Sequence, residues 1–277
     1  MASISLVCGV ALIAVIVVVI LKKARKILLT SNWYKRIFAG GEAQFAETTR
    51  KVFAPLKEKI FADLSEHLKT VKGDVLEIGI GSGENFDYYP HGTSLIAVDC
   101  NPHVQDRLKA RLDKAADRVH LKKFVVASAA QLDVDDNSVA AVVCTLVVCS
   151  IDDDQTRKTL QEVKRVLKPG GRFYFLEHVA GKPWTLQYLV QQIVSKSLIW
   201  PTVFNGCRCD RETLSWIEEA GFKMVQVEKI WLDWTPGMFA GCSAITVLIT
   251  KVVLCFVKSI LFGFAEKGED TEKKKSL

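Results

Sequence analysis

The sequence predicts an α/β fold, a mostly parallel sheet with helices on both faces. From about residue 71 onward, short apolar runs alternate with stretches of helical periodicity, the habit of doubly wound sheets. The first such run, Val71 to Ile78, passes directly into a glycine-rich turn, the usual opening of that architecture. A chain of 277 residues, 49% of them apolar, can bury one full-sized core and still carry terminal segments that belong to no core.

Four regions follow: an anchor with a basic flank over 1–30, a helical lead-in over 31–70, the main domain over 71–247, and an apolar helix with a charged tail over 248–277. Residues Ile4 to Leu21 are uncharged and apolar for about the length a helix needs to cross a hydrocarbon core. Lys22, Lys23, Arg25 and Lys26 follow, where a cleaved leader would carry small residues. Their charge places all that follows in the cytosol by the positive-inside rule, and shallow monotopic insertion is the other reading. The stretch Ala244 to Phe264 carries Lys251 and Lys258 on one helical face. A lysine at mid-membrane costs about 2.5–3.5 kcal/mol, so an interfacial helix is expected there. Lys274-Lys275-Ser276-Leu277 resembles a dilysine retrieval signal.

The net charge of +6 gathers largely at the two ends, which suits a membrane surface and excludes a nucleic-acid groove. Eight cysteines, several inside apolar runs, read as a reduced set. Cys207 and Cys209, one residue apart, fall short of a zinc pattern.

Within the main domain, Gly79, Gly81 and Gly83 follow G-x-G-x-G. A dinucleotide fingerprint would have its third glycine one place later, where Glu84 stands. A second strand, Ser94 to Val98, ends in Asp99, placed to accept the two hydroxyls of a ribose. Asn101 and Pro102 supply the N-cap and first helical residue of the next turn, which frees Asp99 from that task. A third strand near Leu121 to Ala127 leads into Ser128, Ala129, Ala130 and Gln131, where an adenine would lie. The fourth, Val139 to Val148, carries Cys144, Thr145 and Leu146 near the ligand edge. A helix opened by Asp152 to Asp154 stops at Lys168-Pro169-Gly170-Gly171. The fifth strand, Arg172 to Leu176, then delivers Glu177 and His178 to that edge. A helix near Arg211 to Ala220 and a strand Phe222 to Trp231 complete the sheet.

Val75-Leu76-Glu77-Ile78-Gly79-Ile80-Gly81-Ser82-Gly83, Asp99 and Leu167 to Gly171 look like the motifs of class I methyltransferases. Three further segments, Val142 to Ser150, Phe173 to Val179 and Asn205-Gly206-Cys207, resemble membrane-bound thiol S-methyltransferases of the methyltransferase-like group. The likeness covers roughly residues 40 to 240 and an N-terminal anchor. It implies a Rossmann-like seven-stranded sheet and S-adenosylmethionine as cofactor. It also implies residence at the endoplasmic reticulum membrane or on lipid droplets, with alkyl thiols or hydrogen sulfide as acceptors. The cofactor residues it implies are Glu77, Gly79, Gly81, Gly83, Asn85, Asp99, Cys100, Asn101, Ser128, Ala129, Ala130, Cys144, Thr145 and Leu146. Departures are the lack of an acidic residue at the adenine turn and a longer apolar C-terminal extension.

A sulfonium methyl is already activated, so no metal is expected and alignment is the main demand. A thiol must still ionise, and His178 is the candidate base. The competing reading makes His178 a loop-holding hydrogen-bond partner. The apolar insertion Gly181 to Phe204 is either a core helix or an acceptor cover. Two other functions stay open: methyl transfer to an oxygen or carbon of a lipid or quinone, and a non-catalytic membrane tether.

Overall fold

The computed structural model describes residues 2–197, 199–232 and 243–268, without the side chains of residues 2–14, 244–246 and 249. Two helices lead the chain, α1 (Ala2–Thr30) and α2 (Asn32–Thr70). Ser31 separates them in an extended conformation, its hydroxyl accepting the Tyr34 N–H at 3.3 Å as an N-cap. Because α2 runs on to Thr70, and Val71 N–H still bonds His67 O, the first strand starts later than its apolar run suggested.

The strands are β1 (Asp74–Ile78), β2 (Thr93–Asp99), β3 (Val119–Val126), β4 (Val139–Thr145), β5 (Leu167–His178), β6 (Met224–Trp231) and β7 (Ser259–Glu266). Between them lie α3 (Gln105–Leu112), α4 (Asp153–Val166), α5 (Leu186–Lys196), α6 (Ile199–Val203), α7 (Thr213–Glu219) and α8 (Ala244–Phe256). They form one seven-stranded sheet ordered β3-β2-β1-β4-β5-β7-β6, parallel except for β7, which runs antiparallel to both neighbours. The order reverses between β1 and β4, and there the carboxyl ends open a crevice.

Both faces of the inner strands are buried, with period 2. Val75, Ala141, Val143, Tyr174, Leu176, Phe262 and Phe264 meet Phe53, Leu56, Ile60, Phe61 and Leu64 of α2. Leu76, Ile78, Val142, Phe173, Phe175, Leu261 and Ala265 meet Leu160 and Val163 of α4 and Ile217 of α7. Asp63 of α2 accepts from Arg172 Nη1 (2.9 Å) and Tyr174 Oη (2.7 Å), which pins α2 to β5. The lead-in helix is therefore part of the domain.

The C-terminal expectation needs correction. Ala244 to Phe264 is not one interfacial helix: α8 stops at Phe256, and Ser259–Glu266 is the strand between β5 and β6. The domain therefore extends through Glu266 instead of ending at 247. A strand buried on both faces is apolar at nearly every position, so its sequence lacks the alternation that would reveal it. Gly263 fits this site alone among side chains, since a Cβ there would lie 2.1 Å from Gln226 O. Among the described residues no helix is long and apolar enough to cross a membrane. Most of the expected span, residues 4–14, has side chains outside the description, as does the dilysine-like end.

Ending the chain after Lys258 removes β7, the only strand that pairs with β6 among the described residues, and with it one flank of β5. Such a protein is expected to lose its cooperative thermal transition in circular dichroism. A sharp transition retained in the truncated chain would show that β7 is dispensable.

Candidate active site

β1 ends at the switch point, and the chain must turn at once. Gly79, Gly81 and Gly83 take φ of +69°, +51° and +84°, a region closed to most side chains. Space enforces the same choice. A Cβ on Gly79 would sit 2.3 Å from Val147 Cγ2, and one on Gly81 would sit 2.8 Å from Glu42 Oε1. The turn continues as linked turns over 81–88 and not as a regular helix, with Gly83 N–H bonding Ile80 O and Phe86 N–H bonding Gly83 O.

Asp99 stands at the end of β2, beside this turn. Its Oδ2 accepts Gly81 N–H at 3.0 Å and its Oδ1 accepts Asn101 N–H at 2.8 Å. Burial raises its pKa, while these two amides and Lys35 oppose the rise. Asn101 caps Pro102–Val104 through His103 N–H, as its sequence position suggested, and its amide also donates to Lys35 O. Cys100 offers its carbonyl to Lys35 Nζ at 3.2 Å. Next along the edge, Ala127 N–H bonds Asp99 O, and the Ser128 hydroxyl accepts Ala130 N–H, so Ser128, Ala129 and Ala130 form a compact turn.

Beneath the glycines lies a closed network. Glu77 is buried, with Oε1 accepting from Asn85 Nδ2 (2.8 Å) and Oε2 from Tyr89 Oη (2.7 Å). Burial pushes its pKa up to about 7 against the pull of those two donors. Asn85 Nδ2 also reaches Thr145 Oγ1 at 3.0 Å, which ties β4 to the turn. The carboxylate fixes the amide orientation, and Asn85 Oδ1 is then buried without a partner among the described residues. Glu77 thus supports the turn from below, while the free Asn85 oxygen suits a ligand N–H.

Two α2 residues complete this side. Glu42, against Gly81, has its pKa pushed up to about 7 by burial and by repulsion from Asp99 and Glu84. Lys57, whose Nζ donates to Glu84 O, is lowered to about 8 by burial. Sequence reading missed both. Gly40-Gly41 immediately before Glu42 was the available signal, because paired glycines inside a helix oppose local propensity and mark a close approach.

On the β4 and β5 side, Leu146 adopts φ +59° and Val147 packs on Gly79. Cys144 is turned inward, its Sγ 3.7 Å from Glu177 Oε1. Buried Glu177 accepts three successive backbone N–H groups, from Val147 and Val148 (both 2.9 Å) and Cys149 (3.2 Å). His178 is also buried, with Nε2 3.1 Å from Cys207 Sγ and Nδ1 unpartnered among the described residues. Burial lowers its pKa, but Cys149 and Glu177 raise it and prevail. The Cys207 contact and burial hold the Cys149 thiol well above its usual range.

A sheet of this order, with a glycine turn and a ribose-type carboxylate at its switch point, defines a class I S-adenosylmethionine-dependent methyltransferase. A methyltransferase-domain family model matches residues 76–175. Human thiol S-methyltransferase TMT1A is 38% identical over 196 residues, spanning 69% of this chain and 75% of that protein. Rat thiol S-methyltransferase TMT1B is 38% identical over 66% of this chain and 72% of its own length. Among solved structures, Haemonchus contortus phosphoethanolamine N-methyltransferase 2 in complex with S-adenosyl-L-methionine shares the fold. Its TM-score is 0.52 at 17% identity, over 76% of this chain and 52% of that one. The chain therefore belongs to the thiol S-methyltransferase family, and S-adenosylmethionine is its cofactor.

Each hydrogen bond to a charged group is worth about 1.5–3 kcal/mol, so Asp99→Ala should weaken cofactor binding by roughly tenfold or more. Calorimetry tests this, and unchanged affinity would refute the assignment of Asp99. Glu42 gives a pH test. Its folded pKa lies above the ordinary carboxylate value, so a stability penalty grows as pH rises from about 4.5 through about 7. Glu42→Gln should raise the Tm of the free protein at pH 8 and leave it unchanged near pH 4. Equal Tm changes at both pH values would show that Glu42 ionises normally.

Proposed function

We propose that this enzyme methylates small hydrophobic thiols, such as alkyl thiols or hydrogen sulfide, at the cytosolic face of the endoplasmic reticulum membrane, with lipid droplets as a second surface. The observation that carries the reading is a set of exposed apolar residues on helices that dock on one another. Val15 to Leu21 of α1 are all 44–60% exposed. Arg25 at the end of that helix donates to Pro201 O of α6, and Tyr34 Oη donates to Thr202 O at 2.6 Å. Leu186, Leu189 and Ile193 of α5 and Ile199 and Val203 of α6 are exposed as well. Trp33 and Ile37 on α2 are exposed beside Arg36 and Arg107, an aromatic and basic pairing suited to headgroups. Exposed apolar area of this extent marks a membrane or ligand surface. The insertion after β5 is then an acceptor cover that draws its substrate from the bilayer.

S-adenosylmethionine supplies a methyl group already activated on a sulfonium. Asp99 and the amides of the glycine turn would orient the nucleoside, and the free oxygen of Asn85 would accept from the methionine ammonium. Val147, seated against Gly79, with Leu146 next to it in the chain, would exclude water from the transfer path. What the protein must add is a thiolate, since few per cent of a free thiol is ionised at neutral pH.

The purified protein with labelled cofactor, offered an alkyl thiol, a catechol and a quinol, should transfer label to the thiol alone. Label on the catechol or quinol instead would overturn the reading. Leu189→Glu with Ile193→Glu should raise KM for a long-chain thiol several-fold and reduce flotation with phosphatidylcholine vesicles, leaving cofactor affinity unchanged. Unaltered KM and flotation would show that this face meets neither substrate nor membrane.

A further inference from the structure

Three ligand atoms converge beside the proposed transfer path. Cys149 Sγ, a His178 ring nitrogen and Cys207 Sγ all lie within 4.8 Å of one another, and all three residues are buried. They come from three places: the 3-10 turn after β4, the end of β5, and the loop after α6. Cys149 is two residues beyond Val147, which touches the glycine turn.

The convergence is enforced from several sides. Glu177 clamps the backbone of Val147 to Cys149. Arg208 N–H (3.0 Å) and Arg211 Nε (3.2 Å) both donate to Cys149 O, which draws the Cys207 loop onto the turn. Arg211, fully buried, also bonds Ile151 O and Asp153. Gly206, at φ +90°, presses so close that a Cβ would lie 2.8 Å from Ser150 O. A hydrogen bond between His178 and one thiol needs only one of these cysteines, yet two from separate elements are held within reach of its ring.

The geometry points to a zinc site formed by Cys149, His178 and Cys207, with its fourth position open to the acceptor thiol. Two cysteines and one histidine with an open position are a catalytic zinc set. Two thiolates neutralise the ion, which a buried pocket demands. This inference rests on the thiol reading and supplies its missing thiolate. As the acceptor's sulfur bonds to zinc, its S–H proton passes to solvent. The sulfur lone pair then forms the new S–CH3 bond while the methyl–sulfonium bond breaks. That electron pair stays on the cofactor sulfur, leaving S-adenosylhomocysteine and a neutral thioether that binds zinc weakly and departs. In this scheme His178 is a ligand, and the solitary base expected from the sequence is replaced. The near pair Cys207 and Cys209 misled because the partners of Cys207 lie 58 and 29 residues upstream.

The test uses the full chain, stripped with a chelator and titrated with cobalt(II) and zinc(II), with S-adenosylmethionine affinity measured throughout as a check on the fold. One equivalent of cobalt should give tetrahedral d–d bands with a thiolate charge-transfer band, displaced by zinc. Cys207→Ser should weaken or lose the charge-transfer signal and lower thiol methylation at least tenfold with cofactor affinity retained. Stripped wild-type protein should be inactive toward an alkyl thiol and recover with zinc. Full activity when metal-free, no cobalt bands in protein that binds cofactor, or a Cys149–Cys207 disulfide in place of metal would each overturn the site. Cobalt binding without any thiol methylation would instead overturn the acceptor assignment and leave the site standing.

Discussion

The carboxylate of Asp99 holds two turns at once. One oxygen takes the Gly81 amide and the other the Asn101 amide, so the glycine turn and the β2 exit are set relative to each other before any ligand arrives. Each oxygen keeps a lone pair for a further donor. This works only because β1 and β2 are parallel neighbours in register, with Ile78 beside Val98, and end at the same edge. A shift of register by one residue would turn Asp99 to the opposite face of the sheet, and the turn would lose its brace.

The other side of the crevice follows the same logic with consecutive residues of β5. Alternation sends Glu177 and His178 in opposite directions, yet both act on one short segment after β4. Glu177 fixes its backbone through three amides, and His178 meets the cysteine cluster to which that segment contributes Cys149. The Val147 contact with Gly79 joins the two sides. A rigid scaffold with donors fixed in advance is what methyl transfer needs, because alignment supplies much of the acceleration.

The parallel strands, the glycine turn, Asp99 and the Asn101 cap were legible because each is a local pattern: a run, a spacing, a strand end. β7 was not, since a doubly buried strand and an apolar helix share one composition, and only length and pairing separate them. Glu42 was hidden for another reason. Nothing in its neighbours along the chain says that α2 folds back over the glycine turn, and only the anomaly of Gly40-Gly41 hints at it. Cys149, His178 and Cys207 belong to three separate elements, so no spacing rule could have joined them. Glu77 was legible as a motif residue but not in its role, because its bonds to Asn85 and Tyr89 depend on how the linked turns close.

The acid cluster at the crevice explains why these residues are held where they are. Burial first, and then repulsion from Asp99 and Glu84, push the pKa of Glu42 up to about 7, and burial raises that of Asp99. A core chosen for stability alone would not crowd buried Glu42 against Asp99 and Glu84 beside a glycine turn, since burying carboxylate charge is costly. A ligand carrying a sulfonium and an ammonium reverses that balance, because each cation lowers the energy of ionised carboxylates already in place. A cationic cofactor bound beside Glu42 would ease the burial and repulsion that raise its pKa in the free protein. The neutral thioether product, having lost the sulfonium charge, relieves them less, so the same cluster that draws the cofactor in favours exchange of product for fresh donor.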